Sequence, residues 1–161
     1  NFWNFQHNPR THQLRQLPKL FKPLTAALLL GGLFATFINL LLIKLFGLSD
    51  TILLSLAAKS VTSPIAIGLT QQIGGLASLL AVATMVTGLI GIVVARSLFR
   101  MTNINDDRWQ GVILGVTVHA IGTAKAFETS PRCGAFATLG MGINGIWTSL
   151  FLPASIGLFI R

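Results

Sequence analysis

The sequence predicts an all-α integral membrane protein, with three long transmembrane helices and two interrupted helical segments that are either re-entrant or broken. Three observations predict this. Hydrophobic residues make up 52% of the 161-residue chain and charged residues only 10%, against roughly 25% charged in soluble domains. So few charges could not cover a soluble surface, and a disordered chain would need the opposite balance. Mean hydropathy is +0.72. Long charge-free stretches recur along the chain, and the cations that give the net charge of +8 collect between them. That is the pattern of cytoplasmic loops facing anionic lipid.

Residues 1–23 form a basic juxtamembrane segment. Arg10, Arg15, Lys19 and Lys22 have no acidic neighbour in the segment, and Pro9, Pro18 and Pro23 punctuate it. A short interfacial helix is expected over 11–21. No nucleic-acid recognition fold follows this run, so no nucleic-acid partner is expected. Residues 24–161 form the membrane domain. The chain starts at Asn1 without an initiator Met, and it is expected to be part of a longer protein. A cleavable signal peptide does not fit, because the first apolar run is too long and has no small-residue site behind it.

Leu24–Ile43 carries no charge over twenty residues. At about 1.5 Å per residue that spans a hydrocarbon core of roughly 30 Å. Gly31, Gly32 and Ala35 give this helix a small face for close packing. Gly47 and Ser49-Asp50 end it.

Residues 51–75 behave differently. Two short apolar arms, 51–58 and 65–69, flank Lys59-Ser60-Val61-Thr62-Ser63-Pro64. Pro64 lacks an N–H and disfavours helical backbone at Ser63. Such irregular backbone survives in lipid only when protein or a water-filled cavity covers it. A second long helix follows over 76–99 and ends at Arg96 and Arg100. The polar loop 102–108 comes next.

Residues 109–132 repeat the interruption. A short apolar arm over 112–118 leads into His119-Ala120-Ile121-Gly122-Thr123-Ala124-Lys125. The third long helix covers 133–160, with Pro153 expected to kink or end it. If residues 1–22 are cytoplasmic, re-entry of 51–75 keeps Arg96, Arg100 and Arg108 on that same side. A full crossing would put them outside, against the usual bias.

Two constellations carry chemistry. A cation within an apolar membrane segment is a functional-site hypothesis by default. Lys59, with Ser60, Thr62, Ser63 and the helix ends around Pro64, suits a small anion such as a carboxylate. The alternative is that Lys59 snorkels to the interface and Pro64 marks a kink. In the second constellation His119 is a candidate proton carrier. Gly122 allows a break or a close backbone approach, Thr123 offers a hydroxyl, and Lys125 completes the set. The alternative is a structural histidine with Lys125 and Glu128 as an i,i+3 ion pair.

The remaining features are weaker. Gly140, Gly142 and Gly145 mimic a dinucleotide fingerprint but follow no strand, so they read as helix packing. Asn39 and Asn144 read as interhelical hydrogen-bonding residues. His7, His12 and His119 lack metal-site spacing. Cys133 alone provides neither a disulfide framework nor a thiolate cluster. There are four acids and no nucleophile triad, so neither an enzyme nor a cofactor is expected.

Lys59-Ser60-Val61-Thr62-Ser63-Pro64-Ile65-Ala66 resembles the K-S-V-T-T-P-I-A signature of the LrgB/CidB family. His119-Ala120-Ile121-Gly122-Thr123-Ala124-Lys125-Ala126 resembles that family's H-A-I-G-T-A-R-A signature. Ser63 stands where Thr is usual, and Lys125 stands where Arg is usual. The similarity runs from about Gln13 to the end, and family members carry further membrane segments before it. The chain is therefore expected to be the C-terminal portion of such a protein.

The resemblance implies either of two functions. One is an antiholin-like regulator of murein hydrolase export and autolysis, acting with a holin-like LrgA/CidA partner. The other is a carrier, or half of one, for small monocarboxylates such as pyruvate, glycolate or glycerate, with proton coupling through His119. The carrier reading leads here. Its substrate-binding set is Lys59, Ser60, Thr62, Ser63, Pro64, His119, Gly122, Thr123 and Lys125. The expected partners are a small carboxylate, the LrgA/CidA-like protein, the lipid bilayer and a second copy of the chain. The expected location is the bacterial inner membrane, with the plastid inner envelope as the alternative.

Overall fold

The structure, a computed structural model, describes residues 9–156. His7, and the last residues of the helix expected over 133–160, lie outside the described residues. Six helices follow in chain order: α1 (Pro9–Leu45), α2 (Asp50–Ala57), α3 (Ser63–Gln72), α4 (Ala77–Met101), α5 (Asp107–Thr129) and α6 (Pro131–Ile156). No strand occurs among the described residues. The interfacial helix expected over 11–21 and the membrane helix expected from 24 form one element, since α1 runs through Pro18 and Pro23.

Among the described residues two helices are long and apolar enough to cross a membrane, Ala77–Met101 and Pro131–Ala154. Of the membrane helix expected over 24–43, the apolar helical stretch is the shorter Leu29–Leu45. Pro153 lies inside α6 and does not end it.

Both interruptions are present, and at each the chain folds back on itself. After α3 the turn at Gly74 (φ +83°) brings the chain back to α2. There the Leu76 amide donates to Ser55 Oγ at 2.7 Å. A continuous helix would separate these residues by roughly 30 Å.

α5 breaks at His119 (φ 53°, ψ −135°). Its two ends meet again, with Ser130 Oγ donating to Asp107 Oδ2 at 2.6 Å. A straight helix would hold them roughly 35 Å apart. Gly122 permits this close return, because a Cβ there would lie 2.5 Å from the Leu114 carbonyl oxygen and 2.6 Å from Val118 Cβ. The arms 107–118 and 120–129 therefore form a helical hairpin with His119 at its tip.

The core sits around these two hairpins. Leu53, Ala57, Ala58, Val61, Ala66 and Leu69 of the first pack with Leu40 of α1, Leu80 of α4 and Leu152 of α6. Leu114, Val118 and Ala126 of the second pack with Cys133 and Ala137 of α6, and with Ile92 and Phe99 of α4. α6 lies close along the first arm of α5, since a Cβ at Gly111 or Gly115 would overlap the carbonyls of Cys133 and Ala137. Much of α4 faces outward: Val82, Met85, Leu89, Ile90, Val93 and Met101 are exposed. An outward apolar face is what a lipid-facing helix presents.

Candidate functional site

The two hairpins start at opposite ends of α4. The first closes at Leu76, beside the start of α4, and the second opens at Asp107, beyond its end. Their tips meet beside the middle of α4. Ser63 from the first tip and His119, Ala120 and Ile121 from the second line one cavity with Thr84 and Met85. The cavity volume is about 40 Å³.

At the first tip, residues 58–62 connect α2 to α3 in non-helical backbone. Pro64 lies in the first turn of α3, where its missing N–H would lack a helical partner in any case. It begins a helix here and interrupts none. Thr62 takes the cap position in extended backbone (ψ 140°), and its carbonyl accepts from the Ala66 amide at 2.9 Å.

Carbonyls freed by the break are satisfied from other helices. Asn144 Nδ2 of α6 donates to the Ser60 carbonyl at 2.7 Å, and Asn39 Nδ2 of α1 donates to the Leu56 carbonyl at 2.9 Å. Both asparagines thus act across helices, as their sequence positions suggest. Lys59, Ser60, Thr62 and Ser63 are half-buried.

At the second tip, His119 is 4% exposed. Positive φ in a non-glycine residue is uncommon. Strain of this kind costs about 1–3 kcal/mol and persists only where surrounding structure imposes it. Thr123 Oγ1 donates to the His119 carbonyl at 2.9 Å, with Met141 Sδ also near this hydroxyl at 3.6 Å. The Lys59 backbone faces the imidazole. His119 Nε2 is buried without a hydrogen-bond partner, and most such groups have one.

Of the residues singled out in the sequence, Lys59, Ser60, Thr62, Ser63, Pro64, His119, Gly122 and Thr123 lie at or next to the paired tips. Lys125 lies elsewhere. It pairs with Glu128 one turn away, on an exposed surface, and faces a cleft shared with Arg96 and Arg100. Thr84 and Met85 belong to the cavity, and the sequence reading did not name them. The usable signal was Thr84, a hydroxyl in the middle of an apolar helix. Its Oγ1 donates back to the Leu80 carbonyl at 2.7 Å.

At the foot of the second hairpin, Asp106 caps α5 by accepting from the Arg108 amide at 2.9 Å. It also forms an ion pair with the Arg108 guanidinium. That guanidinium holds the Asp106 carboxyl below the ordinary carboxylate range. Among the described residues no His, Cys, Asp or Glu trio stands close enough to hold a metal ion.

The LrgB-like family matches the chain over residues 9–158. The holin-like protein CidB of Staphylococcus epidermidis is 33% identical over 117 residues, covering 73% of this chain and 51% of that protein. The holin-like protein CidB of Staphylococcus aureus is 31% identical over 134 residues, covering 83% and 58%. An uncharacterised Bacillus subtilis protein, YxaC, is 29% identical over 137 residues, covering 85% and 60%. The chain spans about half to three-fifths of the length of these relatives. No solved structure matches.

Proposed function

Because the chain belongs to the LrgB-like family, we propose that it is the C-terminal part of a holin-like protein of the bacterial plasma membrane. In this reading it works with a smaller LrgA/CidA-like membrane partner in the control of autolysis. The holin-like names of its staphylococcal relatives support the holin-like part of this reading. The paired hairpin tips are its working centre. The observation that carries this assignment is His119, buried at positive φ with an unpartnered Nε2 beside the first tip.

A second reading, carriage of a small monocarboxylate, draws on the same tips. Helix ends converge there with the Ser63 hydroxyl, the Lys59 backbone lies beside His119, and helix N-termini favour an anion. Broken helices meeting at mid-depth are a recurring way to build a transport site. The cavity between the tips, about 40 Å³, is large enough to hold water. In this reading Lys59, Thr62 and Ser63 take the carboxylate, and His119 carries a proton.

One pair of assays separates the readings. The full-length protein and its partner are expressed in cells lacking their own carriers. Uptake of labelled pyruvate and glycolate is measured beside the autolysis rate, for wild type and Lys59→Ala. Saturable uptake lost in the variant supports carriage. No uptake above background, with both proteins in the membrane and a changed autolysis rate, removes the carrier reading and leaves the holin-like one. No effect on either readout removes both.

A further inference from the structure

A cleft of about 580 Å³ opens beside α4 at the end away from the paired tips. Its polar lining includes Arg96, Arg100, Lys125 and Gln110, and its apolar lining includes Ile92 and Phe99. Arg96 and Arg100 stand one turn apart on α4, so their guanidinium groups flank the same volume. Neither forms an ion pair among the described residues, whereas Lys125 is paired with Glu128.

This end of the molecule also carries Arg108 and Arg132. The bias of such loops places it at the cytoplasmic leaflet, whose surface is anionic. Val93 also lines the cleft and is 75% exposed. It joins the cleft to the outward apolar strip of Leu89 and Ile90. The cleft therefore pairs unpartnered guanidiniums with an apolar track that runs towards mid-membrane.

We propose that this cleft is a binding site for an anionic phospholipid. Its phosphate lies between Arg96 and Arg100, and an acyl chain follows the exposed face of α4. Guanidinium groups match phosphate oxygens in a bidentate fork. The apolar track distinguishes a lipid from a free phosphate, which would have no use for it. The site is separate from the hairpin tips and does not depend on how they function.

The test uses the full-length protein in phosphatidylcholine vesicles, with and without phosphatidylglycerol, and reads the thermal unfolding midpoint. Phosphatidylglycerol is expected to raise the midpoint of the wild type. The double change Arg96→Gln with Arg100→Gln abolishes that shift, and Arg108→Gln, outside the cleft, retains it. Soluble glycerol phosphate added to phosphatidylcholine vesicles gives no shift. Equal wild-type midpoints in both vesicles, or a shift retained by the double variant, overturn the proposal. So does a shift reproduced by glycerol phosphate, which points to a soluble-anion pocket. If the double variant does not fold, native mass spectrometry of Arg96→Gln provides the second reading. Retention of bound phosphatidylglycerol at the wild-type level is then the contrary result, and its loss the expected one.

Discussion

His119 keeps φ at 53° while almost fully enclosed, and its strain can be separated from its chemistry. Replacing it with Ala or Gly removes the imidazole in both cases, but only Ala retains a Cβ in the disfavoured region. The Gly variant is expected to be more stable than the Ala variant by about 1–3 kcal/mol. This reverses the order found inside ordinary helices, where Gly is weaker than Ala. Thermal unfolding of the two variants in detergent checks it, and a more stable Ala variant would mean that the tip is unstrained.

Asn144 gives a second prediction at this scale. Asn144→Leu leaves the Ser60 carbonyl without its 2.7 Å donor. The expected cost is about 1–2 kcal/mol, towards the upper end for interhelical bonds in membranes, because a carbonyl at a helix break has no i+4 amide to fall back on. A variant as stable as wild type would show that water or lipid replaces the bond.

At the scale of the elements, the second hairpin depends on the close approach at Gly122. Gly122→Val places a branched side chain against the Leu114 carbonyl and Val118. It is expected to destabilise the protein by about 1–3 kcal/mol, as overpacking usually does, and to abolish whatever activity the tips support. The foot of the same hairpin predicts a pH effect. The Arg108 guanidinium lowers the Asp106 pKa from its ordinary 3.8. The ionised carboxylate's contribution is therefore fully present above pH 3.8 and is lost as pH falls through the lower folded value. Asp106→Ala should cost about 1 kcal/mol of cap stability near neutrality. The difference from wild type should shrink in acid, and a difference that grows in acid would reverse the sign.

The elements were largely legible in the sequence, and their breaks less so. Charge-free runs marked α4 and α6, and the polar runs around Pro64 and His119 marked the two interruptions. The residue that takes the second break was not legible. Gly122 allowed either a break or a close backbone approach, and it serves the close approach while His119 takes the positive φ. Tertiary packing imposes that choice, and no local propensity encodes it. The continuity of α1 through Pro18 and Pro23 was hidden for the opposite reason, since local propensity argues for an interruption there.

For the whole molecule, the main arrangement is two hairpins that start at opposite ends of α4 and meet beside its middle. Sequence supplied the argument for one re-entrant segment, through the cations at 96, 100 and 108, but it could not bring the two tips together. Ser63 and His119 lie 56 positions apart, and only the packing of α4 and α6 sets their distance. The same geometry moves Lys125 away from the tips, although it belongs to the same signature as His119. The most direct measurement is disulfide cross-linking of Ser63→Cys with Ala120→Cys. It is made in membranes of cells expressing the full-length protein with Cys133→Ser and any other cysteines removed. Rapid cross-linking within one chain is the predicted result. No cross-link, in a protein whose single cysteines both react with a small thiol reagent, would contradict the meeting of the tips.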